Sequence, residues 1–272
     1  MKSHIVIVFA LAVAVGCGKD ESPIGPSPSP STLASLSITP DTDLIKIKGA
    51  ETFNVTGTYS DGSTRTVQAT WGTDNAGIAT IDTSGRANGV APGQASIFAD
   101  TQGQRATRLL RVVPDYHGRW RGDWSVTGCA DDGDWRGACA EFPSASLFGL
   151  SLELTQTRDT VSGTTDFGDD LPGAVTGTIR MDGPLVLGGT YTVVFETIPV
   201  EITVGNWETV TTDNERMTGR FRLTLRAAGL QGSIGVDGET RIVAKTSASM
   251  LLSEPDEARS LHGAIARSLR RK

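Results

Sequence analysis

The chain has 272 residues, more than one ordinary core uses, so two domains are expected. Glycine is abundant at 32 residues while aromatics make up only 6%, and Thr and Val recur in short alternating runs, a composition of strands and turns rather than helices. A formal net charge of −6 provides no basic face for a polyphosphate backbone, which excludes nucleic acid as an expected partner.

Residues 1–17 have the parts of a secretory signal: Lys2 in a short positive start, an uncharged apolar run over 5–15, and small residues before Cys17. Eleven apolar residues are too few to cross a bilayer core of about 30 Å as a helix. The box Ala14-Val15-Gly16-Cys17, followed at once by the polar Gly18-Lys19-Asp20-Glu21, resembles the lipidation site of bacterial lipoprotein precursors, with Ala14 where that family most often has Leu. The resemblance implies that Cys17 carries a diacylglyceryl group and an acylated amine, with palmitate-type chains. More than one chain is what stable anchoring takes. It also implies a place in the cell envelope, on the outer membrane where there are two, facing the periplasm or the cell surface. An ordinary signal peptide with a chance cysteine and a short membrane anchor are the plainer alternatives. Residues 18–32 alternate Ser and Pro; such a segment builds no core and favours extended conformations, a tether of about 45 Å.

Residues 33–114 form the first expected domain. Strand-like runs at 35–39, 44–48, 52–59, 65–71, 78–82, 94–100 and 105–113 are separated by Pro40, Asp61-Gly62, Ser84-Gly85 and Pro92-Gly93. About seven short strands of this kind predict a β-sandwich. The run WGTDNAGIATIDTSGRANGVAPGQASIFA from Trp71, preceded by YSDGSTRTV, resembles the group 2 bacterial immunoglobulin-like family. That resemblance implies a sandwich found in bacterial surface proteins, adhesins among them, where copies serve as spacers. It brings no catalytic residue, and Trp71, Pro92 and Gly93 are expected to serve packing and turns.

Residues 115–248 form the second. GRWRGDWSVTG places Trp120, Gly122 and Trp124 on one face of a strand and Arg119, Arg121 and Asp123 on the other. Leu150, Leu152 and Leu154 alternate with Ser151, Glu153 and Thr155; Phe221, Leu223 and Leu225 alternate with Arg220, Arg222, Thr224 and Arg226. About eight such strands predict an antiparallel meander that hides its edges by closing, or nearly closing, into a barrel, for an all-β chain overall. Gly118-Arg119-Trp120 resembles the opening of lipocalin-like barrels, which implies Arg241 as the late arginine packed on Trp120. With Cys17 lipidated, Cys129 and Cys139 remain as a pair across CADDGDWRGAC, and a disulfide is the simplest reading. In residues 249–272, Ala258, Leu261, Ile265 and Leu269 recur at helical spacing, predicting a short surface helix or a frayed tail.

The chemistry is sparse. His117 is the one histidine within a predicted domain, so a Ser-His-Asp device or a multi-histidine zinc site has no material. Paired carboxylates could still meet in the fold, as a hydrolase would need, although Glu153 and Glu201 fall on polar strand faces. Asp131, Asp132 and Asp134 resemble the start of a calcium loop, against the alternative of an ordinary acidic turn. Arg220, Arg222 and Arg226 share a face that would receive an anionic polymer, against a solvated strand exterior. The expected function is therefore an envelope-anchored binding or adhesive module, not an enzyme, contacting an envelope polymer or a surface protein. Its rival is a hollow barrel holding a small apolar ligand, with Trp120 and Trp124 as the floor. Calcium is the one cofactor the residues suggest.

Overall fold

The computed structural model describes residues 30–168, 171–211, 213–246 and 260–271. Cys17 and most of the Ser/Pro segment lie outside them, as do residues 247–259. Among the described residues no helix is long and apolar enough to cross a membrane.

Ten strands build the first domain: β1 (Leu33–Thr39), β2 (Leu44–Lys46), β3 (Ala50–Thr52), β4 (Asn54–Tyr59), β5 (Thr64–Val67), β6 (Thr70–Thr73), β7 (Ala79–Ile81), β8 (Arg86–Gly89), β9 (Gly93–Thr101) and β10 (Gln104–Val113). They form sheets β1-β4-β5, β2-β10-β9-β6 and β3-β8-β7 around a core that includes Ile38, Phe53, Val55, Ile97 and Leu110. The turn into β8 shows how local chemistry sets this fold. Asp82 Oδ1 accepts the N–H groups of Ser84 (2.8 Å) and Arg86 (3.1 Å), and Gly85 takes φ +83°, where a Cβ would strike the Phe53 carbonyl. Trp71, expected in the core, is half-buried at its edge beside this glycine.

The second domain is a closed barrel of eight antiparallel strands: β11 (Gly118–Asp131), β12 (Leu147–Thr157), β13 (Thr160–Asp166), β14 (Pro172–Ile179), β15 (Leu185–Phe195), β16 (Ile198–Val210), β17 (Arg216–Ala227) and β18 (Ile234–Lys245). The last strand, β18, closes the barrel against β11 through two register shifts. Eight strands leave an interior just wide enough for side chains to fill. Here they do so with rings: Trp124 stacks on Phe148 at 4.7 Å, and Phe167, from the β13–β14 connection, meets Phe221 at 5.1 Å and Trp207 at 5.6 Å.

One barrel mouth abuts the sandwich. Asp115 takes Lys46 at 2.6 Å and Lys245 at 3.2 Å; burial works against its charge, but the two ammonium groups hold its carboxyl below the usual range. Arg111 on β10 donates to Asp159 (2.7 Å) and to the Ile179 carbonyl (2.6 Å), Arg158 pairs with Asp43, and Tyr116 is buried with its hydroxyl 3.1 Å from the Thr209 carbonyl. Helix α1 (Leu261–Arg270) covers the other mouth. Ser260 caps it by accepting the Gly263 N–H (2.8 Å), and Leu261, Ala264 and Ile265 join the barrel core instead of lying on the surface. Glu141, in the 3-10 turn Ala138–Glu141, clamps it through Arg267 and Arg271, both at 2.5 Å.

Candidate functional site

The alternation of β17 turns Phe221, Leu223 and Leu225 into the barrel core and sends Arg220, Arg222, Thr224 and Arg226 outward. In register beside them on β18, Gly235 faces Thr224, Asp237 faces Arg222 and Glu239 faces Arg220. Arg222 donates through Nη1 to both oxygens of Asp237 (2.9 and 3.0 Å). Its guanidinium then lies over Gly235, where a Cβ would come within 2.3 Å of Nη2. Arg220 is 80% exposed and reaches Glu239 only at 3.6 Å. Arg226 stands opposite Glu201 in register, yet among the described residues it makes no ion pair or hydrogen bond.

The end of β11 supplies the facing wall. Cys129 and Cys139 are joined by a disulfide that fixes the intervening loop to the barrel. Each acid of that loop orders backbone: Asp131 accepts the Cys139 N–H (2.8 Å), Asp132 the Ser233 N–H (2.6 Å), and Asp134 the Gln231 N–H (2.8 Å). Each of the three carboxylates is engaged by a different backbone amide, as in an ordinary acidic turn, and among the described residues no group of three or more His, Cys, Asp or Glu is placed to hold a metal.

Where the two walls meet is a concavity of about 290 Å³, lined by Ala130, Asp131, Asp132, Arg222, Thr224, Arg226, Ser233 and Gly235. Gly235 and Ala130 are directly paired, so the centre of the wall has almost no side chain and the longer groups around it form a rim. The structure thus brings together two charged segments that the sequence presented as unrelated. A wider hollow of about 550 Å³ on the sandwich, at 68–70 and 100–103, has Asp100 as its one charged lining residue. That carboxylate is already held by Arg105 through two bonds of 2.7 Å.

Other expected site residues have structural places. Trp120 and Trp124 are 0% exposed within a filled interior, so they are core and not the floor of a ligand cavity. Lys245, not Arg241, lies over Trp120, its Nζ 5.2 Å from the ring; Lys245 is the residue paired with Trp120 in the β11–β18 register. Arg241 is exposed and acts on Asp123. Glu153 faces Arg119 at 3.4 Å, and Glu201 and His117 are exposed. Sequence reading missed Gly235 and Ser233, since nothing local distinguishes them from turn residues.

The chain resembles known proteins over limited stretches. It is 36% identical over 88 residues to Ice-binding protein 1 of Shewanella frigidimarina (strain NCIMB 400), an alignment covering 30% of this chain and 10% of that protein, so it spans about a tenth of that relative's length. Among solved structures, domains 5–6 of the S-layer protein SbsC align over 76% of this chain and 97% of theirs, at 16% identity and a TM-score of 0.28. Domains 4–9 of the same protein align at 15% identity and 0.29, over 76% of this chain and 31% of theirs. At those scores the overlap carries no weight. Residues 33–108, from β1 into β10, match the family model of the bacterial Ig-like domain (group 2).

Proposed function

We propose that this chain is an exported binding module of the bacterial cell surface, in which the Ig-like sandwich carries the barrel and the outer wall of the barrel makes the contact. Lipidated Cys17 anchors it and residues 18–32 tether it. The observation that carries this reading is the mixed-charge concavity on the outside of a barrel whose inward-facing rings, among the described residues, are buried against one another. A relative over 88 residues is named for binding ice, which fits a partner outside the cell, and a partner bound at an external surface needs no chemistry from the chain.

Fractionation tests the reading directly. The wild-type chain should partition with membranes, incorporate labelled fatty acid and adsorb to isolated envelope material. Cys17→Ser should release it into the soluble fraction and abolish labelling. Labelling that persists in Cys17→Ser overturns the anchor, and a chain that adsorbs to no envelope or extracellular polymer overturns the binding role.

A further inference from the structure

The geometry of the concavity points to a ligand class: a sugar unit bearing a carboxylate, as in a uronic-acid polysaccharide. This inference rests on the binding role proposed above. The lining carries opposed requirements. Arg226 has no partner among the described residues, and the Nε and Nη2 edge of Arg222 lies over Gly235 at the floor, so two guanidinium groups border the same space. A planar guanidinium fork matches a carboxylate better than any neutral group.

Asp131 and Asp132 stand on the same rim, each with one oxygen held by a backbone amide and, among the described residues, no hydrogen bond to the other. They repel an ion that is anionic all over, such as sulfate or phosphate, and they favour a ligand that offers hydrogen-bond donors. The hydroxyls of Thr224 and Ser233, which have no partner among the described residues, both donate and accept. One carboxylate with several neighbouring hydroxyls satisfies all of these groups at once.

Size and shape agree. About 290 Å³ sits at the lower edge of ligand pockets, which run from about 300 to 1,000 Å³, and holds a single ring. The site is open on its solvent side, so the neighbouring units of a chain can run on across the barrel, where Arg220 lies further along the same face. Exposed ionic contacts of this kind are individually weak and screened by salt, and a repeating polymer offsets that by presenting many copies.

The test is titration of the full exported chain with trigalacturonate, followed by amide chemical shifts. Saturable binding weakened by salt is expected, with about a tenfold loss when the carboxylates are methyl-esterified. Arg226→Gln, an exposed substitution that leaves the fold alone, should lose about as much. So should Gly235→Val, which fills the floor and displaces Arg222. No saturable binding, equal binding of the ester, or unchanged binding by Arg226→Gln overturns the inference. Glycine serves as a second probe, because a free amino acid also joins a carboxylate to a donor; glycine binding in place of trigalacturonate overturns the saccharide assignment. Adsorption to envelope material separates the two levels. If it persists without trigalacturonate binding, the ligand class fails and the binding role stands; if it is absent too, both fail.

Discussion

The two domains solve the same problem, burying strands on one face, with different materials. The sandwich core is built from Ile, Val, Leu and Ala, with Phe53 its one fully buried aromatic. The barrel core takes four tryptophans, Trp120, Trp124, Trp135 and Trp207, together with Phe142, Phe148, Phe167, Phe195 and Phe221. Sheets that face each other interdigitate small side chains across about 10 Å, whereas eight strands closed on themselves enclose a round space that large rings fill. In a chain so poor in aromatics, their concentration in one domain marks where volume had to be found.

The largest effect should come from removing a ring at the centre. Trp124→Ala should destabilise the barrel by about 3–5 kcal/mol in chemical denaturation, whereas Trp124→Phe should cost distinctly less, because the Trp124 N–H has no acceptor to lose. A loss below about 1 kcal/mol for the alanine variant would mean a loosely filled interior and revive the hollow barrel. Phe53→Ala, its counterpart, should weaken the sandwich and leave the aromatic signal of the barrel alone. Next comes the disulfide. Replacing Cys129 and Cys139 by Ser opens a loop of sequence separation 10 and should cost about 3 kcal/mol, again in the barrel. Because Asp131 holds the Cys139 amide, the same variant should loosen one wall of the concavity; unaltered Asp131 and Asp132 amide shifts would argue against that link.

How far each domain was legible follows from where its constraints sit in the chain. The sandwich is punctuated by residues whose turn chemistry is local, Asp61-Gly62 and Ser84-Gly85, so most of its strands stand out; β8, whose Arg86-Ala87-Asn88-Gly89 lacks β-branched residues, went unpredicted, the three-residue β3 was touched only at Thr52, and the single run expected at 65–71 is two strands, β5 and β6. In the barrel, alternation revealed the inward faces of β12 and β17, and the disulfide followed from cysteine arithmetic. It could not reveal that Phe167, in a polar connection, turns into the interior, and with it that the space is filled. The concavity was legible as two fragments and not as one site. Residues 130–132 and 222–226 meet only through β18, and that register exists only once the barrel has closed. A glycine at the floor gives no signal of any kind, since its contribution is the absence of a side chain.

Smaller effects separate the barrel's two ends. At the α1 end, Glu141 is held below the usual carboxylate range first by Arg267 and then by Arg271. A depressed acid contributes stability that is present above its unfolded pKa and is lost as pH falls through the folded one. Glu141→Gln should therefore cost about 1 kcal/mol near neutral pH, the arginines being half exposed, and nothing in strong acid. Amide exchange should show the loss confined to α1; protection of α1 unchanged at neutral pH would count against the clamp.

The smallest effect should have the opposite sign. Asp123, on the outer side of β11, is pushed up by burial, only partly countered by Arg241, and its Oδ1 is buried without a hydrogen-bond partner. For an acid raised in the folded state, the protonated form is favoured by folding. Its penalty is therefore absent below the unfolded pKa and grows as pH rises through the folded one. Asp123→Asn removes the charge and keeps the shape. It should raise the melting temperature slightly near neutral pH and leave it unchanged in acid, where Asp123 is already neutral. A variant that melts lower at neutral pH would mean that the attraction of Arg241 outweighs burial, and that the outer wall gains from its charges even where they are half-buried.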